Sequence, residues 1–317
     1  MSHIFDALQR SESELSGTEA ASFSLATELL QAAEEKMRVA VAQPPAAAKE
    51  PAAVGSKPDH STDDQAPFFP VDLQQCPSLS VAVPTDSRLV SIEKEESLGA
   101  EKFRFLAVRL RHIRQTRPLK KVLITSTIPQ EGKSTVAANL ACTLARRKQQ
   151  RTLLLEGDLR RPTVAARFGL GRVAGLSEWF HGEGTAMNIY HLESLNLWVL
   201  PAGNAAENPL ELMQSGKLGS LMERLTEWFD WIVIDSPPVL PLADTSVWAR
   251  LADGILLVTR PGVTEKHQLE RGLATLEKSK LLGALMNSST DASHSDYYQR
   301  YGPPASSSGS RDSEGLR

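Results

Sequence analysis

The amino-acid sequence predicts an α/β protein: a three-layer α/β/α sandwich around a mostly parallel central sheet. Three observations carry that expectation. From Lys120 onward, six short apolar runs recur: KVLITS, RTLLLEGD, LWVLPAG, WIVIDSPP, GILLVTR and LLGALMN. Each is continuously apolar rather than alternating, the signature of strands covered on both faces. Helical patterns such as TVAANLACTLARR and LGSLMERLTEWF lie between them, so right-handed crossovers build parallel pairs.

Ahead of this region the composition differs. Residues 1–40 hold helical patterns, one over 3–15 with Ile4, Phe5 and Leu8 on one face and one over 25–39. Residues 41–85 are rich in Pro, Ala, Ser and charge and read as a linker, with too little apolar surface to offset ordering entropy. The folded domain is expected over residues 86–288 and a Ser/Gly/Pro-rich flexible tail over 289–317. Within the domain, SLGAEKFRFLAVRLRHIRQ has helical spacing at Phe103, Leu106, Val108, Leu110 and Ile113, with basic residues between them. That basic stripe is either a solvated helix face or an interface.

Charge and cysteine count exclude several functions. Lys and Arg total 35 against 38 Asp and Glu, a net charge of −3, which argues against a nucleic-acid coat. Two cysteines cannot form a disulfide framework, and a reducing, cytoplasmic setting is expected. There is no apolar run of membrane-spanning length and no secretion-signal pattern at the start.

The chemistry is expected at the carboxyl ends of the strands, where parallel α/β sheets bind ligands. KVLITS runs directly into TIPQEGKST and then a helix. Gly132 permits close approach of backbone to phosphate, and the amides around Gln130, Glu131, Gly132, Lys133, Ser134 and Thr135 sit at a helix N-terminus. Lys133 is placed to reach the β- and γ-phosphates, and Ser134 to offer its hydroxyl to Mg²⁺. The first glycine of G-x-x-x-x-G-K-[ST] is Thr127 here. A bare GKS tripeptide is common, and a strand-end Asp is commonly only a turn or helix cap. Asp158 and Asp235, both ending strands on the same edge, supply the hard oxygens that Mg²⁺ takes beside phosphates. No G-x-G-x-x-G follows the first strand, which sets aside a dinucleotide-binding dehydrogenase.

Five ordered blocks carry a family resemblance: ITSTIPQEGKSTVAANLA, LLLEGDLRRP, NPLEL, FDWIVIDSPPVLPLADT and DGILLVTRPGVT. Over roughly residues 88–301 the chain resembles the bacterial tyrosine kinases, P-loop NTPases that act as autokinases in capsule and exopolysaccharide synthesis. The resemblance makes GKST the Walker A motif, LLLEGD the Walker A′ block and WIVID the Walker B block. It implies ATP and Mg²⁺ as cofactors, Lys133, Asp158 and Asp235 as catalytic residues, and Ser134, Asp158 and Asp235 as metal ligands. Asp158 either accepts the tyrosine proton or orients a metal-bound water. Glu156 stands at the first acid of the family's D-x-D, one methylene longer, which bears on metal geometry or turnover. Arg160, Arg161 and Pro162 continue that block, and Asn287 matches a position near the adenine.

The resemblance also makes Tyr297, Tyr298 and Tyr301, three of the chain's four tyrosines, phosphoacceptors in a neighbouring subunit's site. Of the family's E-x-x-R-x-x-R assembly helix, Glu101 and Arg104 fit, with Ala107 at the third position and Arg109 two further on. Implied partners are further copies of the chain, a phosphotyrosine phosphatase and a membrane adaptor of the chain-length-determinant type, recruiting the protein to the inner face of the plasma membrane. Residues 3–15 are a candidate docking element for that adaptor. Two rivals stand beside this reading. A partitioning or positioning ATPase carries a second lysine early in its loop, where Ile128 stands here. A non-catalytic ATP-binding scaffold is the other.

Overall fold

The computed structural model describes Leu73 and residues 76–93, 95–182, 188–214, 216–240 and 242–287. Seven strands form one sheet: β1 (Lys121–Ser126), β2 (Thr152–Glu156), β3 (Tyr190–Leu192), β4 (Leu197–Leu200), β5 (Trp231–Asp235), β6 (Gly254–Thr259) and β7 (Leu281–Met286), in the order β3-β4-β2-β5-β1-β6-β7. Every neighbouring pair is parallel except β3 with β4. The six apolar runs are six of these strands. β3 escaped the sequence reading because three residues, YHL, are too short to show a period.

Successive residues of a strand face opposite sides. Leu153 and Leu155 of β2 therefore enter one core with Leu123, Ile232 and Ile234, while Leu154 joins Val122, Ile124 and Val233 in the other. The second core is covered by α1 (Val90–Glu93), α2 (Leu98–Thr116), α3 (Lys133–Ala145) and α4 (Val164–Arg167). The first is covered by α5 (Leu176–His181), α6 (Pro209–Gln214), α7 (Lys217–Trp228), α8 (Asp244–Leu251) and α9 (Lys266–Thr275). These are the three expected layers.

The Ser97 hydroxyl caps α2 by accepting from the Ala100 amide at 3.2 Å. The helix buries Ala100, Ala107 and Leu110, with Phe103, Leu106 and Ile113 packed beside them. Val108, expected on that stripe, is 58% exposed, as is Phe105 at 64%. At 100° per residue, Val108 lies off the stripe set by 103, 106, 107, 110 and 113.

The last ten residues assigned to the linker belong to the domain. The Leu79 amide donates to the His191 carbonyl at 3.0 Å, and the His191 amide donates to the Pro77 carbonyl at 2.9 Å. This short parallel bridge covers the exposed edge of β3. Cys76 is buried in one core, and Leu79, Val81 and Val83 pack on the other. Their alternation in LSVAV is a strand signal that the surrounding Pro, Ser and charge masked. The helices expected within residues 1–40 and the tail tyrosines lie outside the described residues.

Candidate nucleotide and phosphoryl-transfer site

Register assembles the site. β5 lies between β1 and β2, so Asp235 is level with Ile124 on one side and Glu156 on the other. The loop after β1 and the loop after β2 thus emerge on either side of Asp235. The first loop turns through Gln130 and Gly132, with φ of 67° and 90°, before α3 begins at Lys133. Gly132 is the N-cap and brings no side chain, so the first amides of α3 have no side-chain cap. A Cβ at Gly132 would lie 2.1 Å from the Asn287 amide nitrogen.

The loop is held from inside. The buried Glu131 carboxylate accepts from the Ile128 amide at 2.8 Å and from the Thr264 hydroxyl. Asn287, at the end of β7, donates to the Glu131 carbonyl at 2.9 Å. Of the residues expected to bind nucleotide, Glu131 and Asn287 therefore turn their side chains to shaping the loop. Thr127 is fully buried against α9, where the missing side chain of Gly272 leaves room for it.

Lys133 Nζ lies 3.0 Å from Asp158 Oδ2 and 3.4 Å from the Ser134 hydroxyl. Asp158 Oδ1 accepts from the Arg161 amide at 3.1 Å. Asp235 is fully buried, and neither of its carboxylate oxygens accepts a hydrogen bond of good geometry, although the Ser134 hydroxyl lies close enough to act on it. Burial pushes its carboxyl above the usual range; Lys133 and the Ser134 hydroxyl pull it back, and Asp158 pushes it up. A buried, unpartnered carboxylate is costly unless something cationic meets it.

These residues fit Mg²⁺. Ser134, Asp158 and Asp235 are the hard oxygen donors that it takes. Among the described residues no three His, Cys, Asp or Glu side chains form a cage for a metal ion. Phosphate and water oxygens would supply the remaining coordination of such an ion, as is usual for Mg²⁺.

Glu156 is not part of that donor set. Its Oε1 accepts from the Thr163 and Val164 amides, the latter at 2.7 Å, and its Oε2 from the Ala202 amide at 3.0 Å. The extra methylene thus lets the side chain pin the start of α4 and the loop after β4. Burial pushes this carboxyl up to about 7, against the pull of its three amides. The folded state therefore holds a proton that the unfolded state, near the ordinary value of 4.5, has released. Stability falls as pH rises between these values, by about 3 kcal/mol at most, with the full loss above the folded value. Thermal melts from pH 5 to 8 check this, and Glu156→Gln is expected to flatten the slope.

The loop after β2 is braced by contacts that sequence reasoning did not assign. Arg160 Nε donates to Asp244 Oδ2 at 2.7 Å and Nη2 to Oδ1 at 3.2 Å, a bidentate pair. Trp248 Nε1 donates to the Gly157 carbonyl at 3.0 Å. A Cβ at Gly157 would sit 2.6 Å from the Trp248 ring. Gly157→Ala is therefore expected to cost about 1–3 kcal/mol and to displace Asp158; chemical denaturation read beside nucleotide affinity checks both. The available signal was the joint occurrence of LRRP and LADT, since an arginine block and an acid block are natural partners. Glu101 and Arg104 pair with each other on the exposed side of α2. No helix of the described residues is long and apolar enough to cross a membrane.

A phosphate loop, a strand-end carboxylate awaiting a cation and a lysine–aspartate pair beside it define a P-loop nucleotide-binding protein. No family model matches the chain. It is 36% identical over 217 residues to the tyrosine-protein kinase YwqD of Bacillus subtilis, covering 66% of this chain and 89% of that protein. It is 34% identical to the putative tyrosine-protein kinase CapB of Staphylococcus aureus, over 69% of this chain and 96% of that one. Among solved structures, the chimerical protein CapA2B2 superposes with a TM-score of 0.60 at 30% identity, over 67% of this chain and 94% of that one. The kinase domain of Escherichia coli ETK superposes at 0.59 with 27% identity, over 68% and 83%. The chain belongs to the bacterial tyrosine-protein kinases.

Proposed function

We infer that the protein transfers the γ-phosphoryl group of ATP to tyrosine hydroxyls, its own Tyr297, Tyr298 and Tyr301 first, in a neighbouring copy of the chain. The observation that carries this is Asp235, fully buried with no hydrogen bond of good geometry to either oxygen, beside the Lys133–Asp158 pair. The amides of the Gly132 loop cradle phosphate, and Lys133 offsets charge that builds on the transferring group. Ser134, Asp158 and Asp235 hold Mg²⁺, which when bound supplies further charge neutralisation at the phosphates. Asp158 lies at the rim and takes the tyrosine proton or orients a water. Asn287 keeps the loop in shape at the end where a nucleotide base would lie.

Each phosphate adds roughly −1.5 to −2 charge at neutral pH. Repulsion within a cluster of three loosens tail docking and the homo-oligomer, in which Glu101 and Arg104 take part. A phosphotyrosine phosphatase resets the cycle. A membrane adaptor of the polysaccharide machinery recruits the kinase to the inner membrane face through residues 3–15, and the cycle regulates polymer synthesis or export. Mass spectrometry of the purified protein tests the core of this: phosphate is expected on the tail tyrosines, and none when Lys133 is changed. Label on serine instead would overturn it.

A further inference from the structure

Helix α2 turns two apolar side chains to solvent. Phe105 and Val108, 64% and 58% exposed, are the most exposed large apolar residues among those described. Lys102 and Arg109 are exposed beside them and form no ion pair among the described residues. At 100° per residue, positions 102, 105, 108 and 109 share one side of the helix, opposite the buried Ala107 and Leu110. Lys102 and Arg109 stand two turns apart on one rim of this strip, roughly 10 Å from each other. An apolar strip edged by cations suits a segment of inverse charge.

The chain carries such a segment outside the described residues. Read as a helix, residues 25–39 gather Leu25, Leu29, Leu30, Ala33 and Met37 on one side. Glu28 and Glu35 lie on one rim of that stripe, seven residues apart, which is the spacing of Lys102 and Arg109. The bases Lys36 and Arg38 fall in the last turn, where a helix C-terminus favours them. Thirty-six residues separate Val39 from Cys76. A tether of that length spans on the order of 100 Å when extended, more than the width of a domain of this size. The chain also enters the fold on the side of α2: Leu79, Val81 and Val83 pack on the core that Phe103, Leu106 and Ile113 join.

We propose that residues 25–39 lie as a helix on the Phe105–Val108 face of α2 in the same chain, with Glu28 and Glu35 paired to Lys102 and Arg109. Tethering makes the encounter intramolecular, at an effective concentration on the order of millimolar, so a contact of two turns is occupied without being tight. A second copy of the chain suits this face less well, because a two-fold contact between α2 helices sets Lys102 and Arg109 against their like. Seated there, the segment covers the helix that carries Glu101 and Arg104 and holds the chain back from assembly. That consequence rests on the homo-oligomer reading; the docking itself does not.

The test uses the full chain with Val108→Cys, whose thiol reports on the face; the native Cys76 and Cys142 are buried. A maleimide is expected to label it about ten-fold more slowly than in a chain that also carries Glu28→Lys and Glu35→Lys. Adding Lys102→Glu and Arg109→Glu to that variant is expected to restore the slow rate, which a folding defect would not do. Protection is expected to be independent of protein concentration. Equal rates with and without the acid reversal overturn the docking and leave the face to an outside partner, as does a combined variant that melts like wild type yet stays unprotected. Protection that fades on dilution overturns it in favour of a second copy. Sedimentation velocity reads the consequence: the acid reversal is expected to bring assembly at about ten-fold lower protein concentration. Unchanged assembly overturns the restraint and leaves the docking standing. The acid reversal alters no residue of the folded domain, so it decides even where the combined variant fails to fold.

Discussion

Lys133→Met is expected to reduce phosphate incorporation into the tail by about 10³-fold or more. Lys133 is the cation at the centre of the site, 3.0 Å from Asp158 and acting on Asp235. Losing one preorganised charge-stabilising donor typically costs 10²–10³-fold, roughly 3–4 kcal/mol of transition-state stabilisation. Here the loss is larger, because two carboxylates then face the incoming triphosphate without compensation. Both are buried, Asp158 at 4% exposed and Asp235 at 0%. The same change leaves Asp158 without its ion-pair partner, which costs about 3 kcal/mol of folding stability. Methionine keeps the length of the side chain, so the fold itself is expected to persist. Incorporation of labelled phosphate, read beside a thermal melt, checks both effects. Label that survives in the variant would remove Lys133 from the reaction.

Asp235→Asn is expected to move stability and activity in opposite directions. The native carboxylate is fully buried without a hydrogen bond of good geometry, and Lys133 and the Ser134 hydroxyl offset its burial only in part, so it opposes folding until a metal cation is bound. Neutralising it is expected to raise the unfolding free energy of the nucleotide-free protein by about 1–3 kcal/mol. Burial raises the carboxyl of Asp235 in the folded state, so the native protein loses stability as pH rises through that folded value. The variant lacks this slope. Its tail phosphorylation is expected to fall by about 10²-fold or more, because a metal ligand is lost. Differential scanning calorimetry with and without Mg·ATP separates the effects: the variant melts higher alone and gains less from ligand. A variant that melts lower alone, yet keeps its full response to Mg·ATP, would show that Asp235 is a packing residue.

The strands were legible because a parallel sheet buried on both faces demands unbroken apolar runs, and KVLITS, WIVID and GILLVT are such runs. The phosphate loop was legible because phosphate binding needs glycine, lysine and a hydroxyl at set positions along the chain. The packed segment over 76–83 was hidden, since Pro, Ser and charge around it masked the alternation of Leu79, Val81 and Val83, which matters only once β3 offers an edge. Val108 shows the same limit from the other side: an apolar residue near a helical stripe joins the core only if its angle brings it there. Glu156 was read as the first acid of a D-x-D pair, bearing on metal geometry or turnover, whereas its carboxylate is taken up by the amides of Thr163, Val164 and Ala202. Two of those amides lie seven and eight residues away and the third 46, a convergence that no local pattern encodes.

By itself, then, the chain determined everything that depends on neighbours in sequence: strand burial, helix spacing, the Gly132–Lys133–Ser134 loop and the acids Asp158, just past β2, and Asp235, ending β5. Only the folded arrangement decided what depends on distance across the sheet. The strand order set Asp235 between the two loops, joined Lys133 to Asp158 and Arg160 to Asp244, and closed Trp248 over Gly157. The physical reason is that backbone preference and hydrophobic period act over a few residues. Ion pairing, desolvation and close packing act between whichever residues the topology brings within a few ångströms.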